Sequence, residues 1–133
     1  MPENKIRVLC VDDSDAITEL FCLAITAEPD MIVAGTLSSA DTLAEAAARQ
    51  RPDVVLLDLT MPGKDPLAAV VELASACPDT RVIIFSGYDD PKTVESVMDA
   101  GAWGLISKNG DVVDVLAAIR RVAAGEIVHP RGA

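Results

Sequence analysis

Residues 54–63 read VVLLDLTMPG. Val54, Val55, Leu56 and Leu57 form an apolar run suited to a strand buried on both faces. Asp58 follows directly, and a lone carboxylate inside such a strand would cost several kcal/mol to desolvate. Asp58 is therefore expected at the C-terminal end of the strand, where other groups can keep it company. Met61-Pro62-Gly63 then leads the chain out through a loop.

Outward from this strand, short apolar runs alternate with helical stripes. IRVLCV (6–11) is a strand, and Ile17, Leu20, Phe21, Ala24 and Ile25 follow at helical spacing on one apolar face. Pro29-Asp30 ends that helix and MIVAGT (31–36) is a second strand. Thr42 to Glu45 resembles a capping box opening an Ala-rich helix that ends before Pro52. After the third strand, Leu67, Val70, Val71 and Ala74 mark a helix, and RVIIFS (81–86) is the fourth strand. Val94, Val97, Met98 and Gly101 lie at helical spacing, WGLIS (103–107) is the fifth strand, and Val112, Val115, Leu116, Ile119 and Val122 form the last stripe. Gly125 is expected to end that helix. Five βα units in succession predict a doubly wound α/β fold, flavodoxin-like, with a parallel five-stranded sheet in the order 2-1-3-4-5 and helices in layers on both faces.

Composition narrows the function classes. The 133 residues fit one domain, and 50% are hydrophobic, enough for a real core. Eleven basic against 21 acidic residues give a net charge of −10, which argues against direct nucleic-acid binding. Cys10, Cys22 and Cys77 are odd in number and widely spaced, and read as small buried hydrophobes of a reducing compartment. The N-terminal MPENKIRVLC lacks a signal-peptide hydrophobic region, and no apolar stretch approaches the ~20 residues a membrane span needs, so a cytoplasmic location is expected with no membrane partner.

The chemistry-bearing residues fall at the strand ends. The first strand ends in Asp12-Asp13, the third in Asp58, the fourth in Ser86 and the fifth in Ser107-Lys108. Ligands of such sheets bind outside these ends, at the switch point between the first and third strands. Packed carboxylates repel one another, and a hard divalent cation with oxygen ligands relieves the repulsion. A strand-end Asp can also be a nucleophile that forms an aspartyl phosphate. Lys108, the Ser86 hydroxyl and the backbone N–H groups after Asp58 would then meet the phosphoryl oxygens. Each residue has a plainer reading: Asp12 or Asp13 as caps of the first helix, Asp58 and Ser86 as turn residues, Lys108 as a solvated lysine. The conjunction at four strand ends is what favours a site.

VLCVDDSD, VVLLDLTMPG, VIIFSG and GAWGLISK, taken in register, resemble the receiver domain of bacterial two-component response regulators over about residues 4 to 125. The resemblance implies Asp58 as phosphoacceptor, Asp12 and Asp13 with Asp58 and the backbone carbonyl of Thr60 as metal ligands, Ser86 as switch hydroxyl and Lys108 as the phosphate-contacting lysine. It implies Mg²⁺, with Mn²⁺ as an alternative. The implied partners are a sensor histidine kinase as phosphodonor and a second copy in a homodimer formed on phosphorylation. Self-phosphorylation and autodephosphorylation are then expected, without turnover of a separate substrate.

Two positions depart from that pattern. Leu105 stands where such receivers commonly carry Tyr or Phe, and Asn109-Gly110 follows the lysine where proline is common. Lys108-Asn109 and the tail AAIRRVAAGEIVHP look like the NarL/FixJ subgroup, with LuxR-type output. Residues 1–124 are accordingly read as the receiver, and 125–133, with His129, as the start of a linker to a helix-turn-helix DNA-binding domain that these residues do not include. A stand-alone receiver is the alternative. Trp103 is read as partly buried, with an exposed partner-binding aromatic as the competing reading. The competing functions are a phosphorylation-independent binding or dimerisation module, and a haloacid-dehalogenase-type phosphatase. The phosphatase is disfavoured because Asp58-Leu59-Thr60 lacks the second acid. Flavin binding is disfavoured because Asp12-Asp13 would repel the flavin phosphate.

Overall fold

The computed structural model describes residues 5–61, 63–88, 90–108 and 110–128. Five parallel strands run in the order β2-β1-β3-β4-β5: β1 (Ile6–Val11), β2 (Met31–Leu37), β3 (Val54–Asp58), β4 (Arg81–Ser86) and β5 (Gly104–Ser107). They alternate with α1 (Asp15–Thr26), α2 (Leu43–Gln50), α3 (Pro66–Ala76), α4 (Pro91–Ala100) and α5 (Val112–Ala123). The chain starts at β1, steps outward to β2, and crosses back to β3 on the other side, so the switch point lies between β1 and β3, as expected.

Successive strand side chains point to opposite faces, and the two cores sort by that alternation. Val8, Cys10, Val54, Leu56, Ile83, Phe85 and Ile106 pack under α1 and α5, with Phe21, Ile25, Leu116, Ile119 and Val122. Leu9, Val11, Val55, Leu57, Ile84 and Leu105 pack under α2, α3 and α4, with Leu43, Ala47, Val70, Leu73 and Val97. Burial on both faces is why VVLLD carries four consecutive apolar residues: all five positions of β3 are buried. Cys10, Cys22 and Cys77 are free thiols, and burial, with smaller contributions from Cys22 and Asp12, pushes the Cys10 thiol up to about 12.

Several helical details differ from the sequence expectation. Leu20, placed on the buried face of α1, is 49% exposed, while Phe21 and Ile25 are buried. In α3 the buried set is Pro66, Ala69, Val70 and Leu73, and the expected Val71 and Ala74 face outward. The sequence PLAAVVELASA is apolar almost all round, so its periodicity carries little phase. Thr42 is the N-cap of α2 but its side chain makes no capping hydrogen bond, so the capping box does not form. Gly101 belongs to no stripe; it is the C-cap of α4 at φ 114°, where a β-carbon would be strained.

The packed chain also continues past α5. Gly125 turns it at φ 95°, and Val128 forms a parallel bridge with Gly104. Val128 N–H donates to the Trp103 carbonyl at 3.0 Å, and Leu105 N–H donates to the Val128 carbonyl at 3.1 Å. The Val128 side chain joins the α1/α5 core, and a β-carbon on Gly104 would lie 3.3 Å from Val128 Cβ. Val128, beyond residue 124, thus packs with the core. Trp103 is half-buried, with the Arg81 guanidinium 4.5 Å from its ring centroid. His129, Pro62 and Asn109 lie outside the described residues.

Candidate functional site

The fold delivers the strand-end residues to one place. Parallel β1, β3 and β4 finish side by side, with Val11 opposite Leu57 and Asp58 opposite Phe85. Asp12 and Asp58 are buried at the sheet's C-terminal edge, 5% and 2% exposed, while Asp13 is exposed. One carboxylate oxygen from each of Asp12, Asp13 and Asp58 lies within 4.8 Å of the others.

The Asp58 carboxylate is held by one oxygen. Oδ1 accepts from Lys108 Nζ at 3.0 Å, from Thr60 N–H at 3.1 Å and from the Thr60 hydroxyl at 3.3 Å. A carboxylate fixed in this way has its plane set before any ligand arrives. The loop after β3 is itself tied to β4, because Leu59 N–H donates to the Phe85 carbonyl at 3.2 Å. Lys108 is placed by its backbone N–H, which donates to the Ser86 carbonyl at 2.8 Å, and its Nζ stands 5.6 Å from the Phe85 ring centroid. Phe21 meets that ring edge-on at 5.1 Å, which fixes the aromatic floor under the lysine.

Neither Asp12 nor Asp13 is the first helix's cap. That role falls to Ser14, whose hydroxyl accepts from Ile17 N–H at 3.3 Å. Asp12 Oδ1 instead accepts from Ser14 N–H at 2.8 Å. Its carboxyl is pushed above the ordinary 3.8, first by burial and then by the charges of Asp58 and Asp13. The Ser14 N–H and the Lys108 ammonium oppose that shift without cancelling it. Ser86 is buried at the end of β4, and its Oγ accepts from Tyr88 N–H at 2.9 Å. Turn chemistry therefore occupies one side of that hydroxyl, while its own proton can still be donated.

All the strand-end residues anticipated from the sequence reach this edge of the sheet, and Asp12, Asp13, Asp58 and Lys108 meet directly. Thr60, expected to offer its carbonyl to a metal and its amide among the backbone N–H groups after Asp58, also braces Asp58 through that amide and its hydroxyl. A short hydroxyl two residues after an acid can make such a local bond, and that was the available signal.

Three carboxylates facing one ammonium form an oxygen-only donor set with excess negative charge. That set fits a hard dication such as Mg²⁺, which prefers a few carboxylates and retained waters. The acid cluster can hold a divalent metal, with the buried Asp58 carboxylate as one of its members.

Known proteins carry the same arrangement of elements. Residues 8–120 match the model of the response regulator receiver domain. The chain is 33% identical over 128 residues to the uncharacterized transcriptional regulatory protein YxjL of Bacillus subtilis, covering 96% of this chain and 59% of that protein. It is 30% identical to the transcriptional regulatory protein DegU of Brevibacillus brevis, covering 97% of this chain and 55% of that protein. It therefore spans little more than half the length of these relatives. The signal receiver domain of the putative response regulator NarL from Mycobacterium tuberculosis superposes with a TM-score of 0.88 at 28% identity, over 93% of this chain and all (100%) of that one. A LuxR-family two-component response regulator from Aurantimonas sp. SI85-9A1 superposes with a TM-score of 0.87 at 25% identity, over 93% of this chain and 89% of that one. By the family match over residues 8–120, on a sheet whose C-terminal edge gathers the acids and the lysine, the chain belongs to the response regulator receiver domain family, with relatives of the NarL/LuxR type.

Proposed function

We propose that the chain is a phosphoaspartate switch, with Asp58 as the residue that accepts the phosphoryl group. The observation that carries this reading is the Asp58 carboxylate: buried, braced by three donors on one oxygen, and flanked by two further acids. The implied donor is the phosphohistidine of a sensor kinase. An Asp58 oxygen attacks phosphorus, the P–N bond breaks, and the histidine nitrogen leaves with the bonding pair and takes up a proton. Lys108 is positioned to leave Asp58 for a phosphoryl oxygen once the carboxylate becomes an acyl phosphate. Thr60 N–H keeps the loop beside the reacting atom, and Ser86 donates its hydroxyl proton toward the new group.

The metal is assigned to Asp12, Asp13, Asp58 and the Thr60 carbonyl. Mg²⁺, or Mn²⁺ in its place, would supply charge neutralisation for the phosphoryl oxygens. Response regulators are signalling proteins rather than turnover enzymes; self-phosphorylation and autodephosphorylation are the chemistry assigned to this chain. The partners assigned are a sensor histidine kinase and, on phosphorylation, a second copy. The output assigned is control of transcription, in line with relatives described as transcriptional regulatory proteins, through a helix-turn-helix DNA-binding domain joined to the receiver.

The test is incubation with acetyl phosphate. A mass gain of one phosphoryl group that requires Mg²⁺ and disappears in Asp58→Asn supports the reading; a gain that survives Asp58→Asn overturns it. A phosphorylation-independent binding module is the second reading. What favours it is Leu105, fully buried at the position where an aromatic switch residue is common. Partner affinity that is equal for the phosphorylated and unmodified forms would establish it.

A further inference from the structure

The residues that make the site sit at strand ends, but Thr60 lies on the loop between β3 and α3, which needs a fixed point of its own. That fixed point comes from the other side of the switch point. Asp41, exposed just before α2, extends its carboxylate to this loop, and Oδ1 accepts from Lys64 N–H at 2.8 Å. The approach is close on the neighbouring residue as well. Gly63 has φ 94°, and a β-carbon there would lie 2.8 Å from Asp41 Oδ1. A β-carbon there would displace this carboxylate, and the left-handed backbone would strain any other residue.

Asp41 is itself fixed from behind. Its N–H donates to the Ser39 hydroxyl at 3.3 Å, and its neighbour Ala40 is fully buried in the core beneath α2 and α3. An acid at this place could have served the α2 N-terminus, where Thr42 makes no side-chain cap. It bonds across 23 residues of sequence instead. On the far side, the Lys64 ammonium pairs with Glu72 of α3, and Asp65 caps that helix by accepting from Leu67 N–H at 3.2 Å. The loop is thus held at Asp58 by Thr60, at α3 by Asp65, and in between by Asp41.

We propose that Asp41 is a positioning residue for the phosphoacceptor site: its carboxylate fixes the Gly63–Lys64 turn and through it holds Thr60 against Asp58. Asp41 acts without touching the metal or the phosphoryl group. The inference rests on the proposed phosphoaspartate reading for its purpose, but the loop it orders is a feature of the free protein.

The experiment uses the whole chain with Asp41→Ala, Asp41→Asn and Gly63→Ala. Hydrogen exchange of the Thr60 and Lys64 amides reports the loop, and titration with Mg²⁺ alone, followed on the Thr60 amide resonance, reports the site. Asp41→Ala is expected to speed Lys64 exchange about tenfold and to raise the half-saturating Mg²⁺ about threefold. Asp41→Asn retains a carbonyl acceptor and should restore both to within about twofold of the parent. Gly63→Ala should reproduce Asp41→Ala from the opposite side of the contact, and this variant keeps the inference testable if Asp41→Ala fails to fold. Unchanged Thr60 and Lys64 exchange in Asp41→Ala, or equal defects in Asp41→Asn and Asp41→Ala, would overturn the inference. A parent protein that binds no Mg²⁺ would sink the functional reading instead, and amide exchange would still decide the role of Asp41.

Discussion

The two ends of the same sheet treat polar groups in opposite ways. At the N-terminal end several charged or polar side chains are spent on backbone groups. Arg7 donates through Nε and a terminal nitrogen to the Gln50 carbonyl at 3.2 and 2.7 Å, and Asp53 accepts from Arg7 N–H at 2.9 Å. Thr80, buried, donates its hydroxyl to the Pro52 carbonyl at 2.9 Å. Arg81 donates to the last carbonyls of α5, Val122 and Ala123, at 3.1 and 3.2 Å while resting on Trp103. Among the described residues Gln50 Oε1, pressed toward Gly35, is the buried side-chain oxygen without a hydrogen-bond partner. At the C-terminal end three carboxylates crowd together against a single ammonium. The first end ties helices to strands; the second keeps charge in excess, at a cost to stability that a ligand can recover.

Substitutions at the two ends should change stability with opposite sign. The largest stability effect is expected at the N-terminal end of β5. Val128→Asp buries a charge in the α1/α5 core and should cost about 3 kcal/mol or more in denaturant unfolding. Thr80→Val should cost about 1–2 kcal/mol, because the buried Pro52 carbonyl loses its donor. At the other end, Asp58→Asn should stabilise the metal-free protein by about 1 kcal/mol, since it removes one of the crowded charges while Lys108 can turn to solvent. A loss of stability in Asp58→Asn would mean that the Lys108 pair outweighs the repulsion among the acids.

The smallest effect is a pH dependence carried by Asp12. Its folded carboxyl titrates above the ordinary 3.8, so the folded state binds a proton more readily than the unfolded chain. The raised position costs stability at neutral pH, and that cost is relieved as pH falls through the folded value. Asp30 has the opposite sign: Arg120 holds its carboxyl below the ordinary range, and the stability it contributes disappears only at more acidic pH. As the pH falls from neutral through the folded value of Asp12 toward 3.8, the metal-free protein should therefore recover stability, and Asp12→Asn should flatten that gain. Thermal unfolding across this range, parent against variant, checks the sign.

The same contrast explains what the sequence made legible. The strands could be read because runs such as VVLLD and RVIIFS are too apolar and too short for anything but central strands. The site could be read because a doubly wound topology brings successive strand ends together without further assumption. The phase of α3 and the outward turn of Leu20 could not, because those helices are apolar on more than one side. Val128 looked like linker, since one valine in EIVHP carries no period; the bridge to Gly104 makes it core. Asp41 was invisible for a related reason: its partner is a backbone amide 23 residues away, and backbone partners leave no mark in the sequence.

The acids at the C-terminal edge repel one another, and a bound dication is expected to remove that repulsion. The unfolding midpoint of the chain with Mg²⁺ against NaCl of equal ionic strength tests this. The parent should be stabilised by Mg²⁺ beyond the salt control, and Asp12→Asn and Asp58→Asn should lose most of that gain. Equal midpoints in the two salts, or a Mg²⁺ gain that both variants keep in full, would contradict the claim.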